Sequence, residues 1–527
     1  MHSVRKGGLQ MMIRFVAVLA LFAAVPGPAG ASEVRTAAIG GIEGAVDDEA
    51  TAFSLFNLDN AAGLGLLDRE NRLDWAIGLG GATQQVDNGS VTTKRTLGDA
   101  VLRSPGGRYE GLVWWLSGSD VVRLSADMDL ATLKTATTPP EPDADQKVSF
   151  SNSFLAVQYG RRLGENLALG VIVRPRFGAL TLPSTSPAGM PRITKNTNSF
   201  SMLDFNVGAG LRVPMRESAL MLGLNFQPYN DAPDVLALLD PASLGSVNSG
   251  GFKLKREIVV ENGIKQTMEV TPAGSVLGLQ GTLAGRGPFE GVFALDITSA
   301  VSKEKDTTDA SAVAGGAAKT EEGTLSTFSR TRWTMGGRYR FALGEFASLR
   351  TALTLHGEPS KTEAEDFPNS TAVLNTTKGN PVTLALGIAY HTVQGLTVGL
   401  GWDNTGDTQT TTNASGGTTR QVKPSVSSIR LGGEYWFTPA FAGRLALVSA
   451  VSQQEDNDPL TPPAGSSPDN PKTKDGAIVV GAGYKASPVC LDLLIAVHSI
   501  TEDPAPAPPV KLTNGRLDIV LAAKLVF

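Results

Sequence analysis

The chain has 527 residues, a formal net charge of −5, 18% charged residues, 59 glycines, one cysteine and four histidines. The small negative charge excludes a basic nucleic-acid-binding surface as the organising feature. The single thiol, Cys490, excludes an intramolecular disulfide, and so few histidines weigh against a histidine-rich metal site.

At the N-terminus, Arg5, Lys6 and Arg14 flank or enter an apolar run over 13–25, and Ala29 and Ala31 occupy the small-x-small positions of a signal-peptidase site. This pattern predicts a cleaved signal peptide over 1–31, so the mature protein is expected to leave the cytoplasm. No later stretch reaches the roughly 18 successive apolar residues of a membrane-spanning helix.

Residues 32–72 do not alternate, and Asp47 and Asp48 are good caps for a helical turn. From Leu73 onward a period of two recurs. Leu73, Trp75, Ile77 and Leu79 oppose Asp74, Ala76, Gly78 and Gly80. Leu167, Leu169, Val171 and Val173 oppose Ala168, Gly170, Ile172 and Arg174. The same rhythm returns over 155–160, 205–212, 332–341, 382–390, 396–403 and 491–498. The last strand places Leu517, Ile519, Leu521, Leu525 and Phe527 on one face, with Asp518 and Lys524 on the other. Such strands suit a wall between hydrocarbon and water. Aromatic residues near segment ends (Tyr159, Tyr390, Trp402, Trp436 and Phe527) fit an interfacial girdle. Between the strands, short links over 161–167, 213–219, 286–290, 343–346, 391–395, 438–443 and 486–488 alternate with long polar stretches over 180–198, 230–267, 303–324, 358–380, 405–423, 453–475 and 501–514. Periplasmic turns and extracellular loops produce this alternation, whereas a soluble sandwich has no reason for it.

The fold expected is all-β: a transmembrane antiparallel barrel of about 14–16 strands over 73–527 in the bacterial outer membrane. An N-terminal plug over 32–72 and long extracellular loops complete it. The terminal strand should pair with the first, near Leu73–Leu79, with its apolar row toward lipid. Its aromatic end at Phe527 resembles the signal read by the barrel-insertion machinery. The segment 86–147, including the adjacent Trp114 and Trp115, fits the pattern least well.

Several motifs resemble the FadL-type family of long-chain fatty-acid outer-membrane transporters. Asp47-Asp48-Glu49-Ala50 and Asn60-Ala61-Ala62-Gly63-Leu64 look like its plug motifs, with Ala61 in place of a proline. Ser428 to Tyr435, Pro468 to Pro471 and Gly481 to Tyr484 look like its late strands and loop. The resemblance implies fourteen strands, a hatch, lateral release, and uptake of hydrophobic compounds such as long-chain fatty acids by passive diffusion past the plug. Partners would be hydrophobic small molecules and outer-membrane lipid, with no cofactor, no metal and no nucleic acid.

Pro175 interrupts the otherwise regular strand Val171 to Phe177. It cannot donate to a ladder, so it marks either a wall gap or the fading outer end of a strand. Arg174, Arg176, Arg338 and Arg340 should face the lumen. They could hold a cargo carboxylate or, more simply, pair with acidic residues on the same interior. Val235, Leu236, Leu238 and Leu239 are loop residues that could meet cargo or pack as a short helix. No Gly-x-Ser-x-Gly and no His-Glu-x-x-His occurs, so an enzyme is not expected. The competing reading is a barrel that serves as a secretion or partner-binding scaffold.

Overall fold

The computed structural model describes residues 35, 37, 39, 41–42, 61–66, 71–87, 92–103, 111–138, 146–181, 193–216, 218–229, 253–285, 287–313, 316–365, 373–457, 472–503 and 511–527. The segment 1–31, the plug-motif residues Asp47, Asp48 and Asn60, and the loop residues Val235, Leu236, Leu238 and Leu239 lie outside them.

Strands with one apolar face can sit in hydrocarbon only if every backbone donor and acceptor finds a neighbouring strand, which requires closure. The described strands form one antiparallel sheet closed into an 18-stave barrel. The first stave is β1 (Arg72–Asp87), and the second consists of two collinear pieces, β2 (Thr92–Arg103) and β3 (Gly111–Trp115). Next come β4 (Asp120–Thr138), β5 (Gln146–Arg162), β6 (Leu167–Thr181) and β7 (Ile193–Pro214). β8 (Ser218–Pro228) and β9 (Lys253–Val260) share a stave, since both pair with β7 and with β10 (Lys265–Gly285). β11 (Phe289–Asp309) and β12 (Ala318–Ala342) follow. Three composite staves are then built from β13 (Ala347–Gly357) with β14 (Ser360–Glu365), β15 (Val373–Gly379) with β16 (Val382–Thr392), and β17 (Leu396–Gly406) with β18 (Gln409–Asn413). β19 (Thr418–Trp436), β20 (Phe441–Asn457), β21 (Lys472–Ala486), β22 (Val489–Asp503) and β23 (Lys511–Val526) complete the wall.

Closure occurs where the sequence places it. β1 and β23 pair along their whole length, with Leu73 opposite Leu525 and Leu79 opposite Ile519. The Phe527 amide donates to the Asn71 carbonyl at 3.0 Å. Leu517, Ile519 and Leu521 are exposed on the outside, while Val520 and Ala522 are buried inside.

The stave count exceeds the expected 14–16. The segment 86–147 supplies the second and third staves, through β2, β3 and β4. Its hidden rhythm is Leu124, Met128 and Leu130, all exposed on the outer face of β4. Trp114 faces outward and Trp115 packs inward on Leu64, so the two tryptophans serve opposite sides of one stave. Much of the polar sequence expected to be loop is instead ladder. β11 and β12 stay paired out to Asp309 and Ala318, and β14, β15 and β18 extend their staves through threonine-rich sequence. Threonine favours extended backbone, and above the lipid both faces of a strand can be wetted.

The short links that are described throughout, 161–167, 343–346, 391–395, 438–443 and 486–488, are tight connections at one end of the barrel. Around that end stand Phe289, Tyr339, Phe341, Phe346, Tyr390, Tyr435, Phe437, Phe441 and Phe527, all exposed. Tyr339–Phe341 and Tyr435–Phe437 are in ring contact at 4.5 and 5.1 Å. Trp436 is a correction to the girdle: its indole N–H donates to Glu434 at 2.8 Å inside the barrel. Between this girdle and the polar extensions, the outer face carries exposed Leu277, Leu279, Phe293, Ile297, Leu400 and Leu431, a surface suited to hydrocarbon.

Candidate functional site

The alternation that turns leucines outward turns the remaining residues into the lumen, where charges need partners. Arg444, fully buried, bridges Glu434 at 2.7 Å and Asp492 at 2.5 Å. Arg35, ahead of the barrel in sequence, holds both Glu434 oxygens at 2.9 and 2.7 Å. Arg430 meets Asp403 at 2.5 Å and donates to the Gly41 carbonyl at 3.0 Å. Arg330 and Arg332 share Glu358 at 3.0 and 3.2 Å. Of the arginines considered for a cargo carboxylate, Arg174 is paired with Asp204, which Arg176 also approaches at 4.0 Å. Arg338 is held by Glu290. Arg340 is exposed at the turn end, its backbone N–H donating to the Pro288 carbonyl at 2.8 Å.

Two N-terminal stretches dock on the inner wall. Ile39 and Ile42 pack with Ala389, and Ile42 also lies over Gly399 and Gly401. Of the plug motif, Ala61, Ala62, Gly63 and Leu64 are buried, and a four-residue helical turn spans Gly63–Leu66. The amide of Gln158 donates to the Ala61 carbonyl at 2.9 Å, and Arg162 donates to the Gly65 carbonyl at 2.9 Å. Ala62 and Leu66 pack on Ala168, and Leu64 on Val113 and Val121. Gly170 is required here, because a Cβ would come within 1.9 Å of the Ala61 carbonyl oxygen. The first stretch touches β16, β17 and β19 and, through Ala37, the cluster formed by β1 and β20–β23, whereas the second touches β3, β4, β5 and β6.

Higher in the lumen, Leu180, Phe200, Met202, Leu254, Met268, Val270 and Leu325 form a buried apolar cluster across β6, β7, β9, β10 and β12. It lies at and above the upper edge of the lipid-facing band, since the outward neighbours pass from Leu203 and Phe205 to Ser201 and Glu269. Sequence reading missed it. The available signal was the loss of alternation in Phe200-Ser-Met-Leu-Asp-Phe205, where apolar residues occupy both faces. Below it, Tyr229 is buried against Phe328, ring centroids 5.4 Å apart, and donates its backbone N–H to the Gly274 carbonyl at 3.0 Å.

Beside this cluster the β5–β6 ladder skips two pairs without a change of register. β5 and β6 pair up to Phe154–Arg176 and resume at Val157–Val173, skipping Leu155, Ala156, Arg174 and Pro175. On its other side Pro175 stays in register with Leu203 of β7. On the far side of the β4–β5 hairpin, β4 pairs with β2 up to Asp127 and with β3 from Leu124. Ser125 and Ala126 are the register partners of Ala156 and Leu155.

No family model and no curated protein matches the sequence. Among solved structures, the Pseudomonas putida toluene transporter TodX is similar over 94% of this chain and 98% of its own, at 11% identity and a TM-score of 0.33. The Ralstonia pickettii toluene transporter TbuX gives 93% and 97%, at 11% identity and a TM-score of 0.32. Pseudomonas aeruginosa OccK7 gives 88% and 100%, at 10% identity and a TM-score of 0.35. Agreement at this level is common to barrels in general and singles out no cargo.

Proposed function

We propose that the protein is an outer-membrane channel for hydrophobic compounds. Cargo enters at the extracellular mouth, is held by the apolar cluster and leaves sideways between β5 and β6. The observation that carries this reading is the apolar cluster adjoining a wall position where the β5–β6 ladder skips two pairs at Pro175. An apolar solute crosses a water-filled pore poorly, so an apolar catch and an opening toward lipid address the physical problem directly. Pro175 supplies a reason for the gap, having no N–H to give to a ladder. The lumen arginines act in this scheme as structural partners of Asp204 and Glu290, and Arg174–Asp204 stands as the inner guard of the exit.

In the same reading, residues 1–31 are the export signal and 32–72 form a plug. Asp47, Asp48 and Asn60 would complete the stretch anchored by Ala61 to Leu64. The strand ending in Phe527 is offered to the insertion machinery. Long-chain fatty acids and aromatic hydrocarbons are the cargo classes to compare. A deletion strain should lose uptake of labelled oleate, of toluene, or of both, and regain it from a plasmid copy. Unchanged uptake of both would remove the reading. A Leu155→Cys/Pro175→Cys pair in a Cys490→Ser background should block uptake when oxidised and restore it on reduction. Undiminished uptake by the oxidised protein would move the exit elsewhere. The β11–β12 hairpin extension above the lipid band favours a second reading, a scaffold for a protein partner. That reading requires uptake to be unaffected while a partner is lost from the membrane fraction.

A further inference from the structure

Below the apolar cluster the inner wall of β8, β10 and β11 becomes polar. Asn225, Gln280, Thr282 and Thr298 all face the lumen, since Leu224, Phe226, Leu277, Leu279 and Ile297 beside them are exposed on the lipid face. None of the four is more than 4% exposed. Yet Asn225 Oδ1, Gln280 Oε1, Thr282 Oγ1 and Thr298 Oγ1 have no hydrogen-bond partner. Buried polar atoms are normally satisfied, and leaving several open in one place is costly. The four occupy neighbouring positions. Asn225 lies opposite Gly278, Gln280 is the next inward residue on the same strand, and Thr298 lies opposite Val276. Gly278 leaves room for the Asp296 carboxylate to lie against the strand, since a Cβ there would meet Asp296 at 2.6 Å and Asn225 at 3.5 Å.

We infer that this patch is a binding site for an uncharged hydrogen-bonding group, and that the cargo is an amphipathic molecule with a neutral polar end such as a hydroxyl or amide. The inference rests on the channel reading above and names the class of cargo. Charge is disfavoured in both signs. A carboxylate would meet Asp296 beside Gly278, and a cation would meet Arg330 and Arg332, which lie opposite Thr298 and Asp296. Amide and hydroxyl groups can both donate and accept, which matches an alcohol or amide from either side. The apolar part of such a molecule has a track leading up the wall from Val276 past Ala300, Tyr229 and Phe328 to Val270.

The test uses the purified full-length protein in detergent, incubated with an equimolar mixture of 1-dodecanol, dodecane and dodecanoate at neutral pH. The amounts retained after gel filtration are corrected for empty micelles. Dodecanol should be retained about tenfold over the other two, the preference that one well-made hydrogen bond supplies. Gln280→Leu combined with Thr298→Val should reduce that preference to parity while dodecane retention persists. The near-isosteric Thr298→Val alone should reduce it in part, which covers the case in which the double variant does not fold. Equal retention of alcohol and alkane by the unaltered protein, or a preference for dodecanoate, would overturn the inference and leave the channel standing. A preference undiminished in the folded variants would overturn it too. Retention of none of the three would instead overturn the channel reading.

Discussion

At the scale of single residues, the lumen depends on charges that cannot be left alone. Arg444 is the centre of the Arg35–Glu434–Arg444–Asp492 group. Replacing it by methionine removes the arginine from buried Asp492 and leaves Glu434 with Arg35 alone, and should destabilise the barrel by about 3–5 kcal/mol, read from the denaturation midpoint in detergent. Methionine at both Arg444 and Glu434 should cost less than their separate effects summed. Gly170→Val is aimed elsewhere. The new side chain would displace the Ala61 carbonyl, so residues 61–66 should become open to protease while the barrel still closes. These pairings explain why the arginines were only half legible in the sequence. Alternation places Arg174 and Arg338 in the lumen, but the acids that hold them, Asp204 on β7 and Glu290 on β11, are identified only by the register between strands.

At the scale of elements, the extensions above the lipid band carry their own chemistry. Lys303 and Lys305 on the outer face mark where β11 leaves the hydrocarbon, and the inward Glu304 and Asp306 lie beyond that level. Burial, with the repulsion of Asp306, pushes the Glu304 carboxyl up to about 8. A raised carboxyl binds its proton more tightly in the folded state. Its contribution to stability is therefore full below the ordinary carboxylate range and is lost as pH rises through about 8. Hydrogen exchange in the β11–β12 extension should accelerate by about tenfold between about pH 6 and about pH 9, after correction for intrinsic rates. Glu304→Gln should flatten that dependence. The polar composition of 303–324 reads as loop because an aqueous strand has no apolar face to betray it. Only the run of partners from Lys303–Thr324 to Asp309–Ala318 reveals the ladder.

At the scale of the whole molecule, closure is the property that everything else assumes. Ala76 and Ala522 face each other across the β1–β23 seam, both buried. A disulfide between cysteines at these positions, in a Cys490→Ser background, should keep the barrel compact in heated detergent until reductant is added. Failure to cross-link would mean that the seam does not form there. The lipid-facing band makes a separate prediction. Leu279→Arg, in mid-band, should cost about 2–4 kcal/mol, and Phe289→Arg, at the girdle, about 0–1 kcal/mol, compared by denaturant titration in lipid.

The sequence by itself determined the class of fold, the inward and outward faces, the turns at one end and the pairing of the first strand with the last. These follow from period-two patterning and turn chemistry, which are local and repeat along the chain. Tertiary structure decided the 18 staves, the partners of the lumen arginines and the skipped pairs between β5 and β6. It also decided the apolar cluster of Leu180, Phe200, Leu254 and Val270 and the unpaired polar groups around Gly278. Each of these joins residues far apart in the chain, and their meeting depends on ladder register, which no single strand encodes.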